Sequence, residues 1–263
     1  MVNDARVKNL EPIVTAGTPW LASRKRDQNS RLRLFCFPYA GGGDFIFREW
    51  QNGLPDDIEV CPVQLPGRGA RIIEPPFTEL VPLIEAASLA LAPHLDRPFA
   101  FFGHSMGALI GFEIARQLRR DNGSQPVHLF VSGRCSPQTV KDPTLHELPD
   151  SEFIETLRRL NGTPKEMLED PALMELVLPI IRADFAVCNS YIYAPEPPFD
   201  FPITAFGGLE DQTVSRVCLE GWRKHTTNSF IVRMLPGDHF FLNTLRSPLL
   251  AAIVKGLRQY AEG

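Results

Sequence analysis

The chain has 263 residues, 44% hydrophobic and 22% charged, with a formal net charge of -4. That length suits one α/β domain with a sizeable core, and the balance excludes disorder, collagen-like repeats and coiled coil. The mild acidity gives no basic footprint for nucleic acid. The most apolar stretch, 99–112, is interrupted by His104 and Ser105 before it could span a bilayer. Asp4, Arg6, Lys8, Glu11 and Pro12 stand where a secretory segment would be apolar, so a cytoplasmic address without a membrane is expected.

Residues 1–30 are polar and mixed in charge, and they are expected to form a loosely held N-terminal arm. Order begins with the apolar run 32–37, closed by Pro38 and the triple glycine Gly41-Gly42-Gly43. A second run, 58–63, leads into Leu65-Pro66-Gly67-Arg68-Gly69. The third, 99–102, is followed by Gly103 and then by a stretch in which Leu109, Ile110, Ile114 and Leu118 recur at helical spacing, which predicts strand, sharp turn and helix. Further strands are expected at 127–132, 203–206 and 230–235, and an amphipathic helix at 241–260. Short apolar strands alternating with helices argue for a mainly parallel sheet flanked by helices.

One block breaks that rhythm. Between about 140 and 198 the pattern is helical twice, at 152–160 and 172–191, around the turn Asn161-Gly162-Thr163-Pro164, before the proline-rich Ala194-Pro195-Glu196-Pro197-Pro198 returns to the sheet. An insertion of this kind is expected to form a lid, with Leu176, Ile180, Ile181, Phe185 and Val187 as lid core or acyl-chain contacts. Cys36, Cys61, Cys135, Cys188 and Cys218 mostly sit in apolar runs without paired metal-ligand spacing, and all five are expected to be reduced core residues.

Gly103-His104-Ser105-Met106-Gly107 matches G-x-S-x-G, in which glycines let two backbone segments approach a strained serine turn. Between a strand and a helix, Ser105 is a candidate nucleophile, and the helix N-terminus would aim the Met106 N–H at a developing oxyanion. A serine hydroxyl needs a base, and the base needs an acid to fix its tautomer. His239, after the last strand, is the expected base; His225, among Arg223, Lys224 and Thr226, reads as a solvated helix end. Asp211 is the expected acid, with Glu210 as rival, while Asp238 is too close to His239 to orient it and reads as a turn residue. The second oxyanion donor is the N–H of Ala40 or Tyr39 in the glycine-rich loop after the first strand. No Gly-Lys-Ser/Thr follows those glycines and no HExxH occurs, so neither a cofactor nor a metal is implied. His104 reads as a packing residue, and Arg68 and Arg71 as loop braces or a phosphate anchor.

Phe37-Pro38-Tyr39-Ala40-Gly41-Gly42, Gln64-Leu65-Pro66-Gly67-Arg68, Gly103-His104-Ser105-Met106-Gly107, Asn161-Gly162-Thr163-Pro164, Pro202 to Gly208 and Gly237-Asp238-His239-Phe240-Phe241-Leu242 together resemble the type II thioesterases, stand-alone α/β-hydrolases that accompany nonribosomal peptide and polyketide synthases. The resemblance runs from about 32 to 260. It implies an α/β-hydrolase fold and release of aberrant acyl groups from the phosphopantetheine thiol of acyl- or peptidyl-carrier proteins. It also implies Ser105, Asp211 and His239 as triad and Ala40 and Met106 as backbone oxyanion donors; the protein is expected to be a monomer. A carboxylesterase or lipase, or an acyltransferase, would use the same residues, and a catalytically silent hydrolase fold is the alternative outside enzymes.

Overall fold

The computed structural model describes residues 18–22, 30–138, 144–163 and 165–261. Strand β1 (Leu32–Phe37) is followed by β2 (Ile58–Pro62), helix α1 (Leu80–Leu91), β3 (Phe99–His104), α2 (Met106–Arg120) and β4 (His128–Ser132). Then come α3 (Asp150–Leu160), α4 (Lys165–Glu169), α5 (Pro171–Asn189), β5 (Ile203–Gly208), α6 (Arg216–Glu220), β6 (Phe230–Leu235), α7 (Phe241–Thr244) and α8 (Arg246–Ala261). The strands form one sheet in the order β2-β1-β3-β4-β5-β6, and every pairing is parallel.

The strand residues alternate between two cores, as a period of two requires. Phe35, Phe37, Phe99, Phe101, Leu129 and Val131 face α1 and α2. Leu34, Cys36, Ala100, Phe102, Phe130 and Phe206 face α8, where Leu249, Leu250, Ile253 and Leu257 form the matching stripe. Each of these large side chains is fully buried and contributes about 1.5–3 kcal/mol. Edge strand β6 is only half covered. No helix among the described residues is long and apolar enough to cross a membrane.

The strands fall where the apolar runs predict them, and β3 and β5 run two residues further. Helix α1 was not expected. It buries Leu80, Leu83, Ile84, Ala87, Ser88 and Leu91, but apolar residues on its outer face hide that stripe in the sequence. The predicted helix at 241–260 divides at Leu245, because Pro248 in the first turn of α8 cannot donate into a continuous helix.

Two expectations are corrected. The arm is not loose throughout: Trp20 is buried, its carbonyl accepts from Gln64 N at 2.8 Å, and the Arg71 guanidinium lies 4.4 Å over its ring. Leu21 bridges to Val63 in antiparallel sense. An isolated tryptophan in a polar segment gave no periodicity to read. Residues 1–17 and 23–29, the rest of that expected arm, lie outside the described residues.

The cysteines are the second correction. Cys36, Cys61 and Cys188 are buried thiols, as expected, whereas Cys135 and Cys218 form a disulfide across 83 residues of sequence. One lies after β4 and the other on α6, which follows β5; since β4 and β5 are neighbours, the sheet brings together what spacing could not. On the chain-entropy account, closing a loop of that size stabilises the fold by about 4 kcal/mol. Reduction, or Cys135→Ser, is therefore expected to lower the melting temperature by about 10 °C. Thermal scans with and without reductant check this, and unchanged midpoints would contradict it.

The block between β4 and β5 has no strand among its described residues. Helices α3, α4 and the first part of α5 share a separate small core of Phe153, Leu157, Leu168, Met174, Leu178 and Ile181. Asp170 caps α5, accepting from Ala172 N at 2.9 Å and Leu173 N at 3.1 Å, with Pro171 at the first helical position. Arg182 ties the block together by donating to the Leu148 carbonyl at 2.8 Å and Asp150 Oδ1 at 2.6 Å. At its C-terminal end the helix joins the main core through Val187, which was expected in the lid core, and Cys188. The proline-rich return is fastened to α2 by Glu196, which meets Arg116, Arg119 and Arg120 at 2.7 Å each. Partial burial raises the Glu196 carboxyl, but hydrogen bonds from these arginines outweigh it and hold the pKa near about 2.

Candidate active site

Ser105 sits between β3 and α2 with φ +53°, a left-handed conformation that costs a side-chain-bearing residue of order 1–3 kcal/mol. Its N–H donates to the Ser132 carbonyl at 2.7 Å, which fixes the turn to the neighbouring strand. The flanking glycines are required by space. A Cβ on Gly103 would lie 2.1 Å from the Gly107 carbonyl oxygen, and one on Gly107 would lie 2.1 Å from that of Phe37. Met106 opens α2, where backbone N–H groups have no partner within the helix.

The loop after β1 forms a tight turn. Gly42 N donates to the Tyr39 carbonyl at 2.8 Å, with Gly41 at φ +77°, the glycine position of a type II turn. In a trans peptide the Ala40 N–H points opposite to the Tyr39 carbonyl. Tyr39 and Ala40 both line the cavity that Ser105 lines.

Asp211 follows β5, and its two carboxylate oxygens have different tasks. Oδ1 accepts from Thr213 N at 2.8 Å, Thr213 Oγ1 at 2.7 Å and Val214 N at 3.0 Å. Oδ2 is left for His239 Nδ1, 2.7 Å away. Burial raises this carboxyl, but the bond to His239, that ring's charge and the Thr213 donors outweigh it, holding the pKa near about 2. Because the folded value lies below the ordinary one, this contribution to stability is present above about pH 4 and fades as the pH falls toward 2. Glu210, the rival acid, is exposed. Asp238 acts as the turn residue expected of it, accepting from Phe240 N at 2.8 Å, and it also accepts from Asn161 Nδ2 at 2.9 Å. The turn between α3 and α4 is thus seated on the loop that carries His239, with Gly162 against the Phe240 ring.

Ser105 and His239 line one cavity of about 260 Å³, walled by Leu157, Leu160, Phe185 and the bonded Cys135. A second cavity of about 670 Å³ lies beyond Tyr39, Ala40, Gly162 and Thr163, which line both. Its other walls include Phe45, Ile46, Ile180 and Ile181. Leu176, expected as lid core, is 54% exposed and lines neither cavity. Among the described residues no cluster of three or more His, Cys, Asp or Glu could hold a metal ion.

His104 packs, as expected. It is fully buried, its Nδ1 lies 2.9 Å from Ser132 Oγ, and its ring meets that of His239 edge-on at 5.1 Å. Burial first, and then the nearby His239, hold its pKa well below the ordinary histidine value, so it stays neutral. His225 departs from expectation. It is not a solvated helix end but is buried against Phe112 and Trp222, with Nε2 3.0 Å from Ser136 Oγ. Exposed Arg223 and Lys224 beside it conceal that inward turn. Both arginines of the β2–α1 loop are braces: Arg68 pairs with Asp184 at 2.7 Å, and Arg71 with Glu74 at 2.6 Å. Thr213 and Asp184 were not singled out by the sequence, since each matters through a partner supplied by the fold.

Residues 32–257 match the family model described as Thioesterase domain. The chain is 49% identical to a protein named linear gramicidin dehydrogenase LgrE from Brevibacillus parabrevis, covering 93% of this chain and 94% of that one. It is 48% identical to the gramicidin S biosynthesis protein GrsT of Aneurinibacillus migulanus, covering 91% and 94%. Among solved structures, the RedJ thioesterase of the prodiginine pathway in Streptomyces coelicolor superposes with a TM-score of 0.80 at 45% identity, over 87% of this chain and 91% of that one. The first of these relatives carries a dehydrogenase's name, but the matching model spans the whole sheet and is that of thioesterases. The chain therefore belongs to the thioesterase family, as a type II thioesterase on the α/β-hydrolase fold, of the kind found in nonribosomal peptide and polyketide pathways.

Proposed function

We propose that the protein hydrolyses aberrant or stalled acyl groups from the phosphopantetheine arm of acyl- or peptidyl-carrier proteins, using Ser105, His239 and Asp211. The observation that carries this reading is the 2.7 Å bond from His239 Nδ1 to Asp211, with His239 and Ser105 on one cavity. Ser105 Oγ attacks the thioester carbonyl while His239 Nε2 accepts its proton, and Asp211 stabilises the resulting imidazolium. The N–H groups of Met106 and Ala40 receive the oxyanion. Collapse expels the thiol, protonated by His239. Water, deprotonated by the same ring, then releases the acid and restores Ser105. A thiol leaves with a pKa near about 8.5, so the step depends less on leaving-group protonation than ester cleavage does.

Helices α3, α4 and the first part of α5 act as a lid, consistent with their separate small core. The acyl group occupies the 260 Å³ cavity and the pantetheine arm enters through the larger one. The protein works as a monomer in the cytosol beside its synthase. An acyl-carrier protein, a short acyl thioester of the same chain and the matching oxygen ester separate the readings. The carrier-bound thioester is expected to have the highest kcat/KM, because docking adds transition-state binding that truncated substrates lack. Phe185→Ala is expected to shift chain-length preference at that site. Preference for the oxygen ester, with no gain from the carrier protein, would favour the carboxylesterase.

A further inference from the structure

One buried ion pair grips the loop that carries the proposed oxyanion donor. Arg68 and Asp184 are 8% and 3% exposed, and the guanidinium meets both carboxylate oxygens at 2.7 Å. The same Arg68 nitrogen that bonds Oδ2 donates to the Gly42 carbonyl at 2.9 Å, while Arg68 Nε donates to the Pro66 carbonyl at 3.3 Å. Asp184 Oδ2 also accepts from Gly41 N at 2.7 Å. Gly41 is thus held by its N–H and Gly42 by its carbonyl. The Gly42 N–H in turn anchors the Tyr39 carbonyl, which belongs to the same planar peptide as the Ala40 N–H.

The pair joins three separate parts of the chain: the glycine loop after β1, the loop after β2, and α5. Isolating two charges from water makes such a pair a poor source of net stability, whereas it fixes geometry well. Gly41 also lies close against α5, since a Cβ there would be 2.9 Å from Ile181.

We infer that Asp184, together with Arg68, is a positioning pair for the oxyanion donor, setting the Tyr39–Ala40 peptide plane so that the Ala40 N–H faces the tetrahedral intermediate. The inference rests on the proposed reading of Ser105 and Ala40. It ties hydrolysis to the seating of α5 on the body of the protein, because the carboxylate that orients the loop is carried by that helix.

Asp184→Asn leaves an acceptor for Gly41 but leaves Arg68 unpaired, and it is expected to lower kcat about 30-fold with KM within about threefold; complete loss of one donor costs about 10²–10³ in such sites. Two inhibitors separate positioning from general damage. A trifluoromethyl ketone analogue, which forms a tetrahedral oxyanion adduct, is expected to weaken in step with kcat/KM, while a planar amide analogue keeps its Kd. Since Asp184→Asn can unfold the chain, the double variant Arg68→Met, Asp184→Leu replaces the pair with apolar groups of similar size. It is expected to stay folded, since no buried charge is left unpaired, and to be as slow as Asp184→Asn. A double variant within threefold of the parent rate, or equal weakening of the amide and ketone, overturns the inference. Ser105→Ala is the control: if it is inactive while the double variant is fast, this inference alone falls, and if it is active, the reading of the site falls.

Discussion

Ser105→Ala is expected to lower turnover by at least about 10³-fold while the protein folds and binds its carrier as before. Covalent catalysis disappears, but the backbone donors and cavity walls remain. Alanine also keeps the strain, since it has a Cβ at the same φ of +53°. Ser105→Gly is therefore the more informative partner. It removes the same hydroxyl and relieves the left-handed conformation, so it should be equally inactive yet more stable by about 1 kcal/mol. Single-turnover kinetics together with denaturant unfolding of both variants read these effects separately. Retention of more than about a tenth of the parent rate by either variant would remove Ser105 as the nucleophile.

Asp211→Asn is expected to lower the rate by about 10⁴-fold, and the reason lies in the unequal use of the two oxygens. Thr213 N and Val214 N both donate to Oδ1, so the amide oxygen of asparagine must take that position. Its NH₂ group then faces His239 Nδ1 as a donor and forces the proton onto Nε2, where the base has to accept. Glu210→Gln should stay within about threefold, since that side chain is exposed. Steady-state rates on one thioester substrate check both, and equal losses would transfer the acid by one residue. Despite burial, the bond to His239 and the Thr213 donors hold the wild-type carboxyl well below the ordinary carboxylate range, so a loss of activity at mildly acidic pH is expected to come from another group.

What the sequence disclosed about this molecule follows the range over which each feature is determined. The strand, turn and helix around Ser105 are legible because their causes are local: an apolar run, two glycines that no larger residue could replace, and a stripe at helical spacing. The loops holding Asp211 and His239 are legible by chain order, since each follows a recognisable strand. Helix α1 escaped notice because apolar residues on its solvent side, among them Val81 and Leu89, blur its buried stripe. The Cys135–Cys218 bond, the burial of His225 and the Arg68–Asp184 grip depend on partners 83, 89 and 116 residues away. No local pattern marks such residues, because the contact that gives each its role exists only once the sheet has ordered its strands.

Strand β6 lies at one edge of the sheet, pairs only with β5, and leads directly to His239. Everything before residue 230 contains the other five strands, and with them the serine, the glycine loop and the acid. The proposed base and the helix that covers one face of the sheet both come after it. On the proposed reading, the base is therefore placed by the outermost pairing of the sheet, so hydrolysis requires the half-covered edge strand to be seated on its neighbour.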